Sequence, residues 1–444
     1  MSKKVYLRPS IKKQHLGAAN KFAGFHPPET ISSIDGMAVE DLLNKYGSPL
    51  FIFSETTIRK KIAAYKQAFE SRYPMFQPTW SYKTNYLNDI CKVFHKEGFW
   101  AETVSAFEYE KARKNGIPGN RIIFNGPYKP YEALKLAVSE GARIHADHLD
   151  EVKDLMKIAD ELGRKVDVSI RISMDTGSYP TWSRFGFNLE SGHAMEAATK
   201  IAESGGKLNL TGVHSHIGTF MLEPSAYKKA ALQISKFYKV LRDDLRQPMQ
   251  YIDLGGGFVS ANKLKNIYLS GASLLPSFDQ YAEEICSALY DAFSPEEPPT
   301  LFLESGRALV DESGFLASTV VGTKTLPTGK RALILDAGVN LLYTSTWYDL
   351  NVSPIKEYSK DFEEVILYGP LCMNIDIVRE TCILPNMARG ESLLIHPVGA
   401  YNVTQWMQFI EMRPAVVLIQ TNGQVKQIRR RETTDDINAM EVDS

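Results

Sequence analysis

Between Gly47 and Arg307, short apolar runs and runs of helical period take turns without a break, and that alternation leaves few folds open. The apolar runs are Trp80–Tyr82, Phe99–Ala101, Ile122–Phe124, Arg143–Ala146, Val166–Ile172, Leu210–His214, Tyr251–Leu254 and Leu301–Leu303. Helical periodicity fills most of the gaps, as in Ala133–Ser139, Leu149–Leu162, Ala194–Glu203, Ala226–Leu245 and Tyr281–Ala292. Eight strands with intervening helices over about 250 residues is the size of a (β/α)8 barrel of the TIM type, an α/β fold. A strand at Leu50–Phe53 and a helix at Glu55–Glu70 precede the first of them. Past Arg307 the texture changes to short β-rich runs: Ser318–Gly322, Arg331–Leu335, Val365–Tyr368, Ser392–His396 and Ala415–Gln420. Gly, Pro and Asn turns separate them, which predicts a C-terminal all-β domain. The N-terminal stretch, with one helix-like run at Val39–Tyr46, is expected to join it. The expected division is a barrel over 48–305 and a β-rich second domain over 1–47 and 306–444.

A barrel of this kind places its chemistry at the C-terminal ends of its strands. The strand ends here supply Lys83, Glu102, Asn125-Gly126, Arg171, His214-Ser215-His216, Asp253-Leu254-Gly255-Gly256-Gly257 and Glu304-Ser305-Gly306-Arg307. A lone lysine after a strand is usually a solvated one. Lys83 has company. Gly255, Gly256 and Gly257 lack Cβ atoms, so their N–H groups can close around an anion as well as form a tight turn. Arg307 adds a charge where barrel phosphate sites recur. His214 and His216 have the spacing of one strand face, which fits either a metal dyad or one ring packed on a planar cofactor. His145 is the only other histidine expected at a barrel strand end, too few ligands for a typical metal site. Glu304 fits either an ion pair with Arg307 or the ring nitrogen of a pyridinium. Lysine, anion nest, carboxylate and flat histidine together describe a site for pyridoxal 5′-phosphate, with no metal.

Composition removes competing classes. The formal net charge is −1, so no nucleic-acid partner is expected from bulk electrostatics. The 4 cysteines are scattered, which predicts a reducing, cytoplasmic setting. Neither a signal-like apolar run nor a membrane-spanning stretch is seen. The charged tail from Arg429 is expected to fray.

Several motifs resemble those of the fold-type III pyridoxal-phosphate decarboxylases of the diaminopimelate and ornithine type, from about Gly47 to Arg431. They are Ser81-Tyr82-Lys83-Thr84-Asn85, His214-Ser215-His216-Ile217-Gly218-Thr219, Asp253-Leu254-Gly255-Gly256-Gly257 and Glu304-Ser305-Gly306-Arg307. Tyr368-Gly369-Pro370-Leu371-Cys372, Gly399-Ala400-Tyr401 and Met412-Arg413-Pro414 complete the set. The resemblance implies that Lys83 carries the cofactor, His216 stacks on its ring and Glu304 pairs with the ring nitrogen. It implies that Thr219, Gly257, Arg307 and Tyr401 serve the phosphate, that Gly306 belongs to the cofactor site, and that Glu102, Glu108 and Arg171 line the pocket. It implies a homodimer in which Cys372 reaches the other subunit's site and reprotonates Cα.

The departures concern the small-molecule amino-acid substrate. Relatives carry an acid directly after the loop cysteine; Met373 stands here. An arginine that holds a distal carboxylate in the diaminopimelate enzymes is replaced by Thr344, while Tyr348 and Asp349 are kept. An unpaired buried carboxylate is costly, which argues against diaminopimelate itself and toward a related diamino or conjugated amino acid. Asp349 is expected to take a distal amine. The rivals are a racemase on the same scaffold, against which Glu304 and Cys372 speak, a non-catalytic binding protein, and a metal hydrolase using His214 and His216.

Overall fold

The computed structural model describes residues 27–265 and 275–442. Eight parallel strands close into a barrel: Phe76–Ser81, Trp100–Thr103, Ile122–Phe124, Arg143–Ala146, Val166–Ser173, Leu208–His214, Tyr251–Asp253 and Thr300–Ser305. The last strand pairs with the first, Leu301 opposite Phe76 and Ser305 opposite Trp80, which completes the ring. The barrel and its C-terminal sheet domain therefore have the architecture the alternation predicts.

The barrel interior explains where the chemistry sits. Side chains two residues apart on a strand share a face. At the N-terminal end, Ile123, Tyr251 and Phe302 form a small separate core with Trp100 packed on it. The Arg143 guanidinium lies over the Trp100 and Phe302 rings, 4.4 and 5.2 Å from their centroids. Gly212 leaves the space that Tyr251 fills, since a Cβ there would lie 2.3 Å from the tyrosine ring. One inward step up each strand, these residues give way to Glu102, Asn125, His145, His214, Asp253 and Glu304, all buried. An apolar plug thus supports a polar floor.

Helices surround the strands, but the strand ending at Ser305 is followed only by the short helix Arg307–Val310. Helix Glu55–Glu70, which precedes the barrel, lies beside this short helix and against helix Phe278–Ala292. Ser54 caps it by accepting from Thr57 N. Its buried Ile58, Ile62, Tyr65 and Phe69 recur at helical spacing, each worth about 1.5–3 kcal/mol of transfer free energy. Tyr65 Oη accepts from the Ser305 hydroxyl, at 2.9 Å.

The second domain is one large sheet. Its order runs Ile377–Pro385, Phe362–Tyr368, Arg331–Leu335, Gly314–Thr325, Leu50–Ser54, Ala415–Ile419 and Val425–Arg429, with Ser392–His396 and Asn351–Pro354 attached. The strand at Leu50, expected inside the 48–305 barrel unit, pairs here with Gly314–Ala317 and Ala415–Ile419. Every residue of it is buried, so it reads like a barrel strand, and only the pairing reveals its home. Ile34, Val39 and Leu42 pack on this sheet with Leu50, Ile52 and Leu394; residues 1–26 lie outside the described residues. The tail is not frayed. Val425–Arg429 is a sheet strand, and Glu432 pairs with both Arg413 and Arg429. Among the described residues, no helix is long and apolar enough to cross a membrane.

Candidate active site

The first strand ends at Ser81 and turns through Tyr82–Thr84, which delivers Lys83 into a cavity of about 840 Å³ at the barrel mouth. The Lys83 ammonium donates to both Glu102 oxygens, at 3.0 and 2.8 Å, and Ser81 Oγ donates to the same carboxylate at 2.7 Å. Burial favours the neutral amine, but Glu102 and then Glu304 outweigh it, so the Lys83 pKa is raised. Burial likewise pushes the Glu102 carboxyl up, opposed by Lys83. The free lysine is thus held as an ammonium on Glu102.

Glu304, buried at the end of the last strand, lines the cavity and accepts from Asn125 Nδ2 at 3.2 Å. His214 Nε2 lies 3.4 Å from its other oxygen. His214 in turn stacks on His145, ring centroids 4.6 Å apart. Burial holds both imidazoles neutral. These three residues put ligand-type atoms within 4.8 Å of one another. His214 and His216 do not share a strand face as their spacing suggested. The strand ends at His214, so His216 sits in the following loop with its ring at the cavity wall. There its Nδ1 accepts from Gly256 N–H at 3.0 Å, and Trp182 meets it edge-on, with ring centroids 5.5 Å apart.

The glycine triplet is tighter than a simple anion nest. Gly255 N–H donates to Asp253 Oδ1 and Gly256 N–H to His216, so two of its donors are already engaged. Its lack of side chains serves close approach: a Cβ on Gly256 would lie 2.4 Å from the Glu304 carbonyl oxygen, and one on Gly257 2.3 Å from that of Gly218. The triplet therefore packs against the end of the last strand and the loop after the sixth. The anion donors sit next door. Arg307 Nε and Nη1 are buried without a hydrogen-bond partner. The nearest acid is Asp311, 3.8 Å from Nη1. Tyr401 and Tyr348 flank the guanidinium, with centroids 4.7 and 5.0 Å from its carbon. A buried cation with two idle donors, facing a cavity, fits a phosphate. Thr219, Arg171 and Tyr401 line the same cavity. Arg171 lies on the Phe185 ring and 3.9 Å from Asp147.

Not every expected residue reaches this cavity within one chain. Glu108 is buried at the start of helix Ala106–Lys114, where it accepts from Val104 N–H and does not line the cavity. Thr344 is buried and donates to Asn402 Oδ1. Asp349 turns away toward Arg379, at 3.7 Å. Cys372 is exposed on an outer loop, and Met373 beside it is half-buried. Conversely, Tyr179, Trp182, Phe185, Phe220, Lys265 and Gln405 line the cavity without having been singled out. The first three come from the segment between strand Val166–Ser173 and its helix at His193, whose length and aromatic content were the available signal.

A closed parallel barrel coupled to a sheet domain, with a mouth lysine, a carboxylate and an idle arginine fork, defines a class of pyridoxal-phosphate enzymes. Comparison with known proteins narrows it. Residues 55–311 match the pyridoxal binding domain of the pyridoxal-dependent decarboxylases, and residues 285–399 match their C-terminal sheet domain. The diaminopimelate decarboxylase of Methanocaldococcus jannaschii is 30% identical over 427 residues, covering 92% of this chain and 94% of that one. That of Aquifex aeolicus is 29% identical, covering 91% and 94%. The crystal structure of the M. jannaschii enzyme superposes with a TM-score of 0.84 at 28% identity, covering 93% of this chain and 96% of that one. A second structure of it, in complex with L-lysine, gives 0.83. The chain belongs to the pyridoxal-dependent decarboxylase family, and it is a carboxy-lyase acting on an amino acid with pyridoxal 5′-phosphate as cofactor.

Proposed function

We propose that this enzyme removes the α-carboxylate of an amino acid related to diaminopimelate or lysine, with Lys83 as the residue that carries the cofactor. The observation behind this reading is the convergence on one cavity of Lys83, Glu304, His216 and the unpaired Arg307 donors. Arg307, with Thr219, Gly257, Gly306 and Tyr401, would hold the phosphate. His216, its ring fixed by Gly256 N–H, would pack on the cofactor face. Glu304 would hold a proton at the ring nitrogen. When bound, the cofactor supplies an electron sink for the bond broken at Cα. Glu102 and Arg171 keep charged neighbours at Lys83 and at the cavity wall, so the ammonium must first pass its proton on, with Glu102 the acceptor already in hydrogen-bond contact.

Cys372 does not reach its own cavity, which supports the reading that it serves a partner's site in a homodimer and reprotonates Cα there. Met373 would enter the same neighbouring site. Exposed Phe107, Tyr128, Ile375 and Ile410 are the large apolar side chains such an interface would cover.

The test is CO2 release from L-, D- and conjugated diamino acids by the cofactor-loaded protein. Lys83→Ala is expected to lose both the visible absorbance of bound cofactor and turnover; normal turnover would sink the assignment. Cys372→Ala is expected to keep cofactor while slowing or misrouting protonation, read as deuterium placement at Cα. An unchanged rate and product would refute its role.

A further inference from the structure

The cavity lining carries Lys83, Arg171, Arg307 and Lys265 against a single carboxylate, Glu304. Each of the first three has an acid beside it: Glu102 for Lys83, Asp147 for Arg171 and Asp311 for Arg307. Lys265 differs. It is half-buried, and among the described residues its ammonium meets no acid. Its backbone is nonetheless fixed. Lys265 N–H donates to Trp347 O at 2.9 Å, Asp349 N–H donates to Lys263 O at 2.8 Å, and Leu264 bridges Tyr348 in antiparallel fashion. The loop after the seventh barrel strand is thus laid alongside the segment 344–349. That is the segment in which Thr344 replaces the arginine that resembling enzymes use for a distal carboxylate. Thr344 itself is buried away from the cavity on Asn402.

We infer that Lys265 is the specificity residue for the substrate's far end, and that this end carries a carboxylate. A cation lost from the segment 344–349 is supplied by the loop laid alongside it. The inference rests on the decarboxylase reading above and revises the doubt raised by Thr344 alone. A substrate with only a distal amine would bring a second cation to Lys265, and Asp349, the acid expected to receive that amine, is turned toward Arg379. A distal carboxylate would give the ammonium the partner it lacks, and a half-buried charge pair is worth more than an exposed one.

The experiment compares meso-diaminopimelate, 2-aminopimelate and L-lysine as substrates of the cofactor-loaded wild type, Lys265→Ala and Lys265→Arg. Wild type is expected to favour the two dicarboxylates. Lys265→Ala is expected to lower the kcat/KM ratio of 2-aminopimelate to L-lysine by about 10- to 100-fold, mostly through KM, as loss of one charged hydrogen bond implies. Lys265→Arg should keep most of the preference. Calorimetric titration of the holoenzyme with pimelate, a dicarboxylate that cannot react, reads the same contact without turnover and should weaken equally in Lys265→Ala. A wild-type preference for L-lysine, or a ratio and pimelate affinity untouched by Lys265→Ala, would overturn the inference. Absence of CO2 from every substrate while pimelate binding still depends on Lys265 would sink the reaction reading and leave the anion contact standing.

Discussion

Replacing Arg307 by lysine should separate the phosphate contact from everything else Arg307 does. In the free protein its guanidinium faces Asp311 and leaves Nε and Nη1 without partners. Lysine keeps the positive charge near Asp311 but offers a point charge where arginine offers a planar fork. A hydrogen bond to a charged group contributes about 1.5–3 kcal/mol. Losing one of two such bonds should weaken cofactor binding by about 10- to 100-fold at ~1.4 kcal/mol per decade. The stability of the cofactor-free protein should move by less than about 1 kcal/mol, because no existing hydrogen bond to Nε or Nη1 is broken. The stabilisation added by saturating cofactor should fall by the same amount as the binding energy.

The assay is an absorbance titration of cofactor-depleted protein with pyridoxal 5′-phosphate and, separately, with pyridoxal. Urea unfolding with and without each ligand accompanies it. Pyridoxal has no phosphate, so its affinity should be indifferent to Arg307→Lys. Equal losses for both ligands would show that Arg307 acts on the ring or on the fold, and would refute the phosphate assignment.

Two further substitutions test the surroundings of the site. Burial raises the Glu108 carboxyl to about 7 from an ordinary value of 4.5, so the folded protein holds a proton that the unfolded chain has already released. Stability should therefore fall as pH rises between those values, by about 3 kcal/mol in all, and Glu108→Gln should remove that slope in urea unfolding at pH 5 and pH 8. A slope unchanged in Glu108→Gln would assign the effect to another group. Lys129, fully buried, donates to Gly126 O, His145 O and Glu151. Lys129→Met should cost about 3–5 kcal/mol by stranding Glu151, and Lys129→Met with Glu151→Leu should recover much of it. A double variant no more stable than the single one would refute the stranded-charge account.

The barrel was legible because its strands are local. A three-residue apolar run such as Ile122–Phe124 announces itself, and the polar residue two positions past each interior apolar one marks the floor of the site. What the sequence hid is non-local. Leu50–Ser54 has the pattern of a barrel strand and the partners of a sheet strand. Strands Asn351–Pro354, Ile377–Pro385 and Val425–Arg429 carry too many polar residues to stand out, since part of each is exposed at the sheet. The glycine triplet was read as an anion nest, whereas two of its N–H groups serve Asp253 and His216. Lys265 carried no signal in one dimension, because its neighbour Trp347 is far away in sequence.

The lysine just after the first barrel strand belongs in the end to both domains. Thr404 Oγ1 donates to Lys83 O at 2.8 Å, Tyr401 N–H to Thr84 O at 2.8 Å, and Asn85 Nδ2 to Gly399 O at 3.1 Å. The sheet domain thus holds the backbone that carries the Lys83 amine. The same loop pays for its course at Tyr401, whose φ of +66° costs a non-glycine residue about 1–3 kcal/mol. That conformation accompanies the placement of the Tyr401 ring on Arg307. A single loop from outside the barrel therefore contacts both the Lys83 backbone and the Arg307 guanidinium. The Asn85–Gly399 contact thus joins motifs more than 300 residues apart in sequence at the rim of one cavity.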